Sequence, residues 1–300
     1  MKMKLKAIMC AAAAGSSVSL ATAANETAAE AEKGEVEERQ LVSASASLSF
    51  DSKYLSYGFV DNRDPILTPS AEITFYDFLT FGVEAIFDVT KYGRQAGYGN
   101  RGGKYTELHP YAGIAYAFSP EDFAWLPTTI EVGLDYLYEY HPGAKARHGG
   151  RDPGADDDTQ FWTLSLALPD LWFEPALAVE RDVIRDNGTY ASLEIGHSFN
   201  LLGEEDDTLV LRPSIAQGFG NRQRVVAYVE DVNKNALMDT LVKVDLAWKV
   251  CDNLELGAYA GYSDFLFSRD VRRASREYEA TGRWDESWNF IAGLSASVSF

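Results

Sequence analysis

From residue 41 to Phe300 the apolar and polar positions alternate with a period of two, not the 3.6 of a helix. Ile130, Val132, Leu134, Tyr136 and Tyr138 share one face, and Glu131, Gly133, Asp135 and Glu139 share the other. Near the end Trp288, Phe290, Ala292, Leu294, Ala296, Val298 and Phe300 oppose Asn289, Gly293, Ser295, Ser297 and Ser299. About twelve such segments follow one another, at 41–51, 66–76, 79–89, 105–118, 128–140, 159–168, 171–182, 189–200, 208–218, 239–250, 253–264 and 286–300. Most have the roughly 9–11 residues that a tilted strand needs to cross a bilayer. Sandwich strands are nearer 5–6. The polar faces are rich in Gly, Ser and acids, which suits a water-lined interior. No apolar run reaches the length of a membrane-spanning helix. The pattern therefore predicts an all-β fold, a single antiparallel transmembrane β-barrel of about twelve strands (range 10–14).

The connections sort by length. Gaps 77–78, 119–127, 169–170, 201–207 and 251–252 are short, whereas 52–65, 90–104, 141–158, 219–238 and 265–285 are long, with 183–188 the exception. Short periplasmic turns and long extracellular loops are the asymmetry of an outer-membrane barrel. An even strand number puts both barrel ends on the short-turn side. Tyr136, Tyr138, Tyr140, Tyr262, Trp162 and Trp288 then fall at the long-loop rim. Phe118, Phe173, Phe199, Trp248 and Phe300 fall at the other, giving two aromatic girdles.

Ahead of the barrel, Lys2, Lys4 and Lys6, an apolar stretch from Ala7 to Leu20 and Ala21-Thr22-Ala23 form a signal peptide over 1–23, and residues 24–40 an acidic periplasmic tail. The expected location is the outer membrane of a Gram-negative cell. Composition narrows the classes further. With 46% hydrophobic and 13% aromatic residues the chain is not disordered. Two cysteines, one of them inside the signal peptide, exclude a disulfide scaffold. A formal charge of −18 argues against nucleic acid as a partner.

Alternation assigns the pore-lining candidates. The inward acids are Glu84, Asp88, Glu107, Glu131, Asp135, Glu139, Glu174, Glu180, Glu194, Asp245 and Glu255, against Arg212, Lys243 and Lys249, with His109 a neutral or titrating member. Unbalanced carboxylates in a confined pore favour cations. The same acids could instead pair with bases and hold the barrel's shape. The loops carry the opposite sign, with Lys91, Arg94, Arg101 and Lys104 in one and Arg269, Arg272, Arg273, Arg276 and Arg283 in another. They could meet lipopolysaccharide phosphates or fold inward onto the acidic lumen.

Ser52-Lys53-Tyr54-Leu55-Ser56-Tyr57-Gly58-Phe59 and then Pro65-Ile66-Leu67-Thr68-Pro69-Ser70 resemble the opening of the TorF-type porin family, and the alternating strand ending in Phe300 resembles the one that barrel-assembly machinery reads. The family tends to carry Arg where Tyr57 stands. The resemblance covers 41–300 at the level of strand layout and implies a pore-like outer-membrane protein, with no catalytic or binding residues to carry over. The expected function is passive passage of small solutes, cations preferred. The alternative is a non-conducting structural or surface-binding barrel, and a hydrolase comes last. No motif joins His109, His141, His148 or His197 to a nucleophile, and His141 and His148 are expected to be solvated. Asp231, Asn233 and Asn235 start like a calcium loop, but Ala236 and Val242 stand where Gly and Glu belong. Asp156, Asp157 and Asp158 are expected to form a solvated tip. No catalytic, cofactor or metal site is expected.

Overall fold

The computed structural model describes residues 41–90, 104–141, 158–203, 206–280 and 287–300. The signal peptide, the acidic tail and the expectations resting on Lys91, Arg94, Arg101, His148, Asp156, Asp157 and Arg283 lie outside the described residues.

The elements in order are β1 (Val42–Asp51), β2 (Tyr54–Ser56), β3 (Phe59–Asn62), β4 (Ile66–Phe75), β5 (Leu79–Asp88), β6 (Lys104–Phe118), β7 (Ile130–Glu139), β8 (Thr159–Ala167), β9 (Ala176–Asp182), β10 (Thr189–Gly196), β11 (Phe199–Asn200), β12 (Leu209–Gly220), α1 (Arg222–Tyr228), β13 (Ala236–Cys251), β14 (Leu254–Asp264), α2 (Arg269–Ala280) and β15 (Trp288–Ser299). Twelve staves close into a barrel, each antiparallel to its neighbours, with β11 extending the β10 stave. The first and last staves form the closing seam, from Ser45 opposite Ser299 to Asp51 opposite Gly293. The β10–β12 pairing, from Tyr190 opposite Gly220 to Gly196 opposite Ser214, completes the ring. No helix among the described residues is long and apolar enough to cross a membrane.

Alternation places the faces as expected. Leu164 (53% exposed), Leu193 (53%) and Leu294 (62%) point outward, while Thr163, Ser165 and Gly293 on the same strands are buried. The girdles gather at the rims: Tyr136 packs on Trp162 and Tyr262 on Trp288 and Phe290 at one end, and Phe199 packs on His197, itself stacked on Trp172, at the other.

Two strands differ from expectation. The 171–182 segment pairs only from Ala176. Leu168 N–H donates to Pro175 O (3.0 Å), closing a turn in which Glu174 takes a positive φ of 40°, and Trp172 and Phe173 lie exposed at the rim. The 189–200 segment breaks at His197-Ser198, because Ser198 N–H turns to the Glu174 carboxylate (2.7 Å) instead of the ladder.

The long loops are not all outside. After β1 the chain folds into the barrel mouth as the β2–β3 hairpin, with Ser56 opposite Phe59. The two-residue turn, Tyr57 (φ 52°) and Gly58 (φ 88°), has both residues left-handed, the geometry that matches strand twist. A Cβ on Gly58 would stand 2.4 Å from Asp239 Cβ, so the tip fits only without one. Helix α1 starts where Asn221 Oδ1 accepts Arg224 N–H (3.0 Å), and the same oxygen accepts Thr189 N–H (3.0 Å), fixing the helix to β10. Hairpin, helices and wall share one apolar cluster that includes Tyr57, Phe59, Tyr190, Val225, Tyr228, Met238, Phe265 and Val271. Tyr54 docks separately on inward Ile66 and Ile86. Each fully buried side chain of this kind contributes roughly 1.5–3 kcal/mol.

An arginine on the outer face tests the assignment: Leu164→Arg is expected to cost about 2–4 kcal/mol in equilibrium unfolding from liposomes. Ser45→Lys, on the inward face opposite Glu72, is expected to cost under about 1 kcal/mol.

Candidate functional site

The interior has an open wall and a packed end. Toward the short turns, small residues and half-buried charges line the wall. Arg212, on β12, reaches Glu174 (3.0 Å) and Glu194 (2.6 Å). Lys243 lies 3.1 Å from its strand neighbour Asp245 and over the Tyr259 ring. Lys249 lies 3.9 Å from Asp207 in the turn and opposite Glu255 in register. Asp135 packs across Gly113 on the next stave, and Glu131 is buried lower on β7. Asp88 is buried and accepts Thr90 N–H (3.2 Å). The other strand-borne candidates have buried or half-buried side chains. Glu174 is the correction: it stands in the turn before β9, where the positive φ lets its carboxylate reach back to Ser198 and Arg212. Inward acids not singled out from the sequence are Asp51, which accepts Tyr259 O–H (2.7 Å), Glu72, which accepts Tyr111 O–H (3.1 Å), Asp182 and Asp239.

At the packed end a second group of charges meets the infolded cap. Glu180, 1% exposed on β9, faces Arg224 of α1 (3.1 Å), which also reaches Asp186 (3.2 Å) and lies over the Tyr57 ring. Tyr57 donates to the same Glu180 oxygen. Burial pushes the Tyr57 phenol well up, so it stays a donor. Tyr190 donates to Asp239 (2.9 Å), and Arg272 to buried Asp264 (2.8 Å). Arg272 therefore folds inward, whereas Arg273 is an exposed side chain near Asp270. Asn233 and Asn235 accept from Arg222 and hold the α1 entrance, so these two members of the calcium-like segment are engaged in the fold.

At the long-loop ends of β6 and β7 lies a constellation that the alternation pattern does not reveal. Glu107-Leu108-His109 on β6 and Glu139-Tyr140-His141 at the end of β7 carry the same Glu-x-His spacing. Residues two apart share a strand face. Leu108 and Tyr140 exchange both backbone hydrogen bonds (2.9 Å each), which sets Glu107 across from His141 and His109 across from Glu139. His141 Nε2 lies 3.0 Å from Glu139 Oε1 and 3.8 Å from Glu107 Oε1. His109 Nε2 lies 3.1 Å from Glu107 Oε2, and its Nδ1 3.3 Å from Glu84 Oε1. Tyr54 of the hairpin donates to Glu107 Oε2 (3.4 Å), and Arg185 Nη1 stands 4.0 Å from Glu139 Oε1. His141 corrects the expectation of a solvated ring: only 9% of its side chain is exposed, because its backbone N–H donates to Asp158 (3.1 Å) and turns the ring into the barrel. Asp158 likewise accepts Tyr138 O–H (2.8 Å) and is tied to the wall, not a free tip. Burial works against charging His141, but the hydrogen bond to Glu139 and the fields of Glu107 and Glu139 outweigh it and hold its pKa above the ordinary value. His197 sits at the short-turn rim with Nδ1 2.8 Å from Trp172 O.

No family model and no curated protein matches the sequence. Among solved structures the chain is similar to an outer membrane channel from Pseudomonas putida F1, at 10% identity and a TM-score of 0.46, covering 90% of this chain and 100% of that one. It is also similar to OccAB2 of Acinetobacter baumannii, at 10% identity and a TM-score of 0.37, where 85% of this chain spans 59% of that one. OmpT of Vibrio cholerae gives 10% identity and a TM-score of 0.36 over 86% and 97% of the two chains.

The Glu180–Arg224 pair supplies the test of the cap. Arg224→Met, which strands a buried carboxylate, is expected to destabilise the barrel by about 3–5 kcal/mol in denaturant titration. Tyr57→Phe is expected to cost about 1.5–3 kcal/mol. Adding Glu180→Leu to Arg224→Met is expected to recover most of the larger loss.

Proposed function

We propose that the chain is a porin-like barrel of the bacterial outer membrane, exported by a cleaved signal peptide, that passes small solutes and prefers cations. The observation that carries this reading is the charge balance of the half-buried wall. Its bases are already engaged, Arg212 by Glu174 and Glu194 and Lys243 by Asp245. Among the described residues they therefore leave Glu72 and Asp135 as carboxyl groups with no base beside them along the same interior. Fixed charge of one sign in a narrow, low-dielectric passage concentrates counter-ions. The infolded hairpin narrows that passage at the long-loop end. The motif at 52–59, which forms this hairpin, supports placing the chain beside TorF-type porins.

One observation favours a second reading, a barrel that does not conduct. The apolar cluster spanning the hairpin, both helices and the wall fills the mouth where solute would enter. In both readings the proposed role is non-enzymatic. The proposed partners are membrane lipid around the apolar belt, lipopolysaccharide phosphates at exposed Arg273, and assembly machinery at the strand ending in Phe300.

A planar bilayer under a KCl gradient separates the readings. The expected reversal potential lies on the potassium side, and Asp135→Asn with Glu72→Gln moves it toward zero. Replacing residues 54–62 by a short Gly-Ser linker is expected to raise conductance several-fold. Anion preference overturns the first reading. A silent native barrel that conducts only without the hairpin supports the second.

A further inference from the structure

We propose that Glu107, Glu139 and His141 form a binding site for one divalent transition-metal ion of the zinc class, held inside the barrel beneath the hairpin. The proposal stands whether or not the barrel conducts. It begins with the donor set. One imidazole nitrogen and two carboxylate oxygens lie within 4.8 Å of one another. Donors each about 2.0–2.2 Å from a tetrahedral ion lie about 3.3–3.5 Å apart. The observed separations from His141 Nε2, 3.0 Å and 3.8 Å, straddle that value, and the third edge, between the two carboxylates, lies within 4.8 Å.

The set is braced as metal sites are. Glu107 and Glu139 project from adjacent staves, and His141 from the register-fixing bridge beside them. Each oxygen of Glu107 has its own direction: Oε2 faces His109 and Tyr54, which leaves Oε1 for the ion. His109 is in turn oriented by Glu84, the kind of outer hydrogen bond that fixes a ligand's direction. His141 presents Nε2 to both carboxylates, while its buried Nδ1 has no hydrogen-bond partner among the described residues and so lacks the outer bond that Glu84 gives His109.

The donor types select the ion. Calcium takes six to eight oxygens and magnesium a near-ideal octahedron, and neither favours imidazole. One nitrogen and two oxygens suit zinc and its neighbours. Three protein donors leave a fourth position for water. Arg185, at 4.0 Å from Glu139, already supplies positive charge beside the set, and it competes with the incoming ion.

The test is equilibrium dialysis of the full chain, refolded in detergent micelles, against Zn²⁺ alone and Ca²⁺ alone. The expected result is one Zn²⁺ per barrel and no competing uptake of Ca²⁺. His141→Ala and Glu107→Gln are each expected to weaken Zn²⁺ binding at least about tenfold. Arg185→Gln is expected to tighten it, and His197→Ala at the short-turn rim to leave it unchanged. Circular dichroism and heat-dependent gel mobility confirm that each variant has folded. Zn²⁺ is also expected to raise the thermal unfolding midpoint of the native chain and not that of Glu107→Gln. The proposal is overturned by absence of stoichiometric Zn²⁺ uptake, or by uptake that His141→Ala and Glu107→Gln leave intact.

Discussion

Every backbone N–H and C=O of a strand in hydrocarbon must find its partner within the protein, because lipid offers none. The seam between the first and last staves meets that constraint, running from Ser45–Ser299 to Asp51–Gly293. Without it two edge strands would expose unpaired groups to acyl chains. Closure gives the outward side chains their role, since an apolar exterior such as Leu164 or Leu294 makes sense only around a complete ring. It also confines the polar residues to a shared interior, where they must solve their own electrostatics.

The interior solves them differently at its two ends. Near the short turns, charges are half-buried and their partners are neighbours on the wall, as with Lys243 and Asp245. Near the long loops, water is replaced by protein, and the charges are met by residues brought in from loops. Arg224 arrives on α1 for Glu180, and Arg185 on the β9–β10 connection for Glu139. A buried ion pair contributes little net stability over an apolar replacement, yet losing one partner is costly. The cap is thereby keyed to one arrangement, with apolar packing supplying adhesion and the charged contacts supplying registration.

The barrel was legible in the sequence because alternation states both strand and face at once. The shortfalls have local causes. The 171–182 segment alternates well enough, but Pro175 lacks an N–H and Glu174 turns left-handed, so pairing begins only at Ala176. His141 looked solvated because Pro142-Gly143 follows it, and a bridge one residue earlier reverses that outcome. The two Glu-x-His triplets were visible as text, but only the register of β6 against β7 makes them neighbours. The infolded cap had a signal in the inward apolar residues Ile66, Ile86 and Phe161, which water alone would not favour, and in Tyr57-Gly58 between apolar flanks.

Only Ser52 and Lys53 separate the hairpin from β1, at the junction where Ser52 N–H donates to Ala292 O (2.8 Å) and Ala292 N–H to Ser52 Oγ (2.9 Å). Hairpin and seam strand are consequently one continuous stretch of polypeptide. The first stave cannot find its place beside the last without carrying the hairpin to the barrel's mouth. Completing the ring and seating the hairpin at the mouth are thus linked by the chain itself, because the strand that closes the cylinder also delivers the cap.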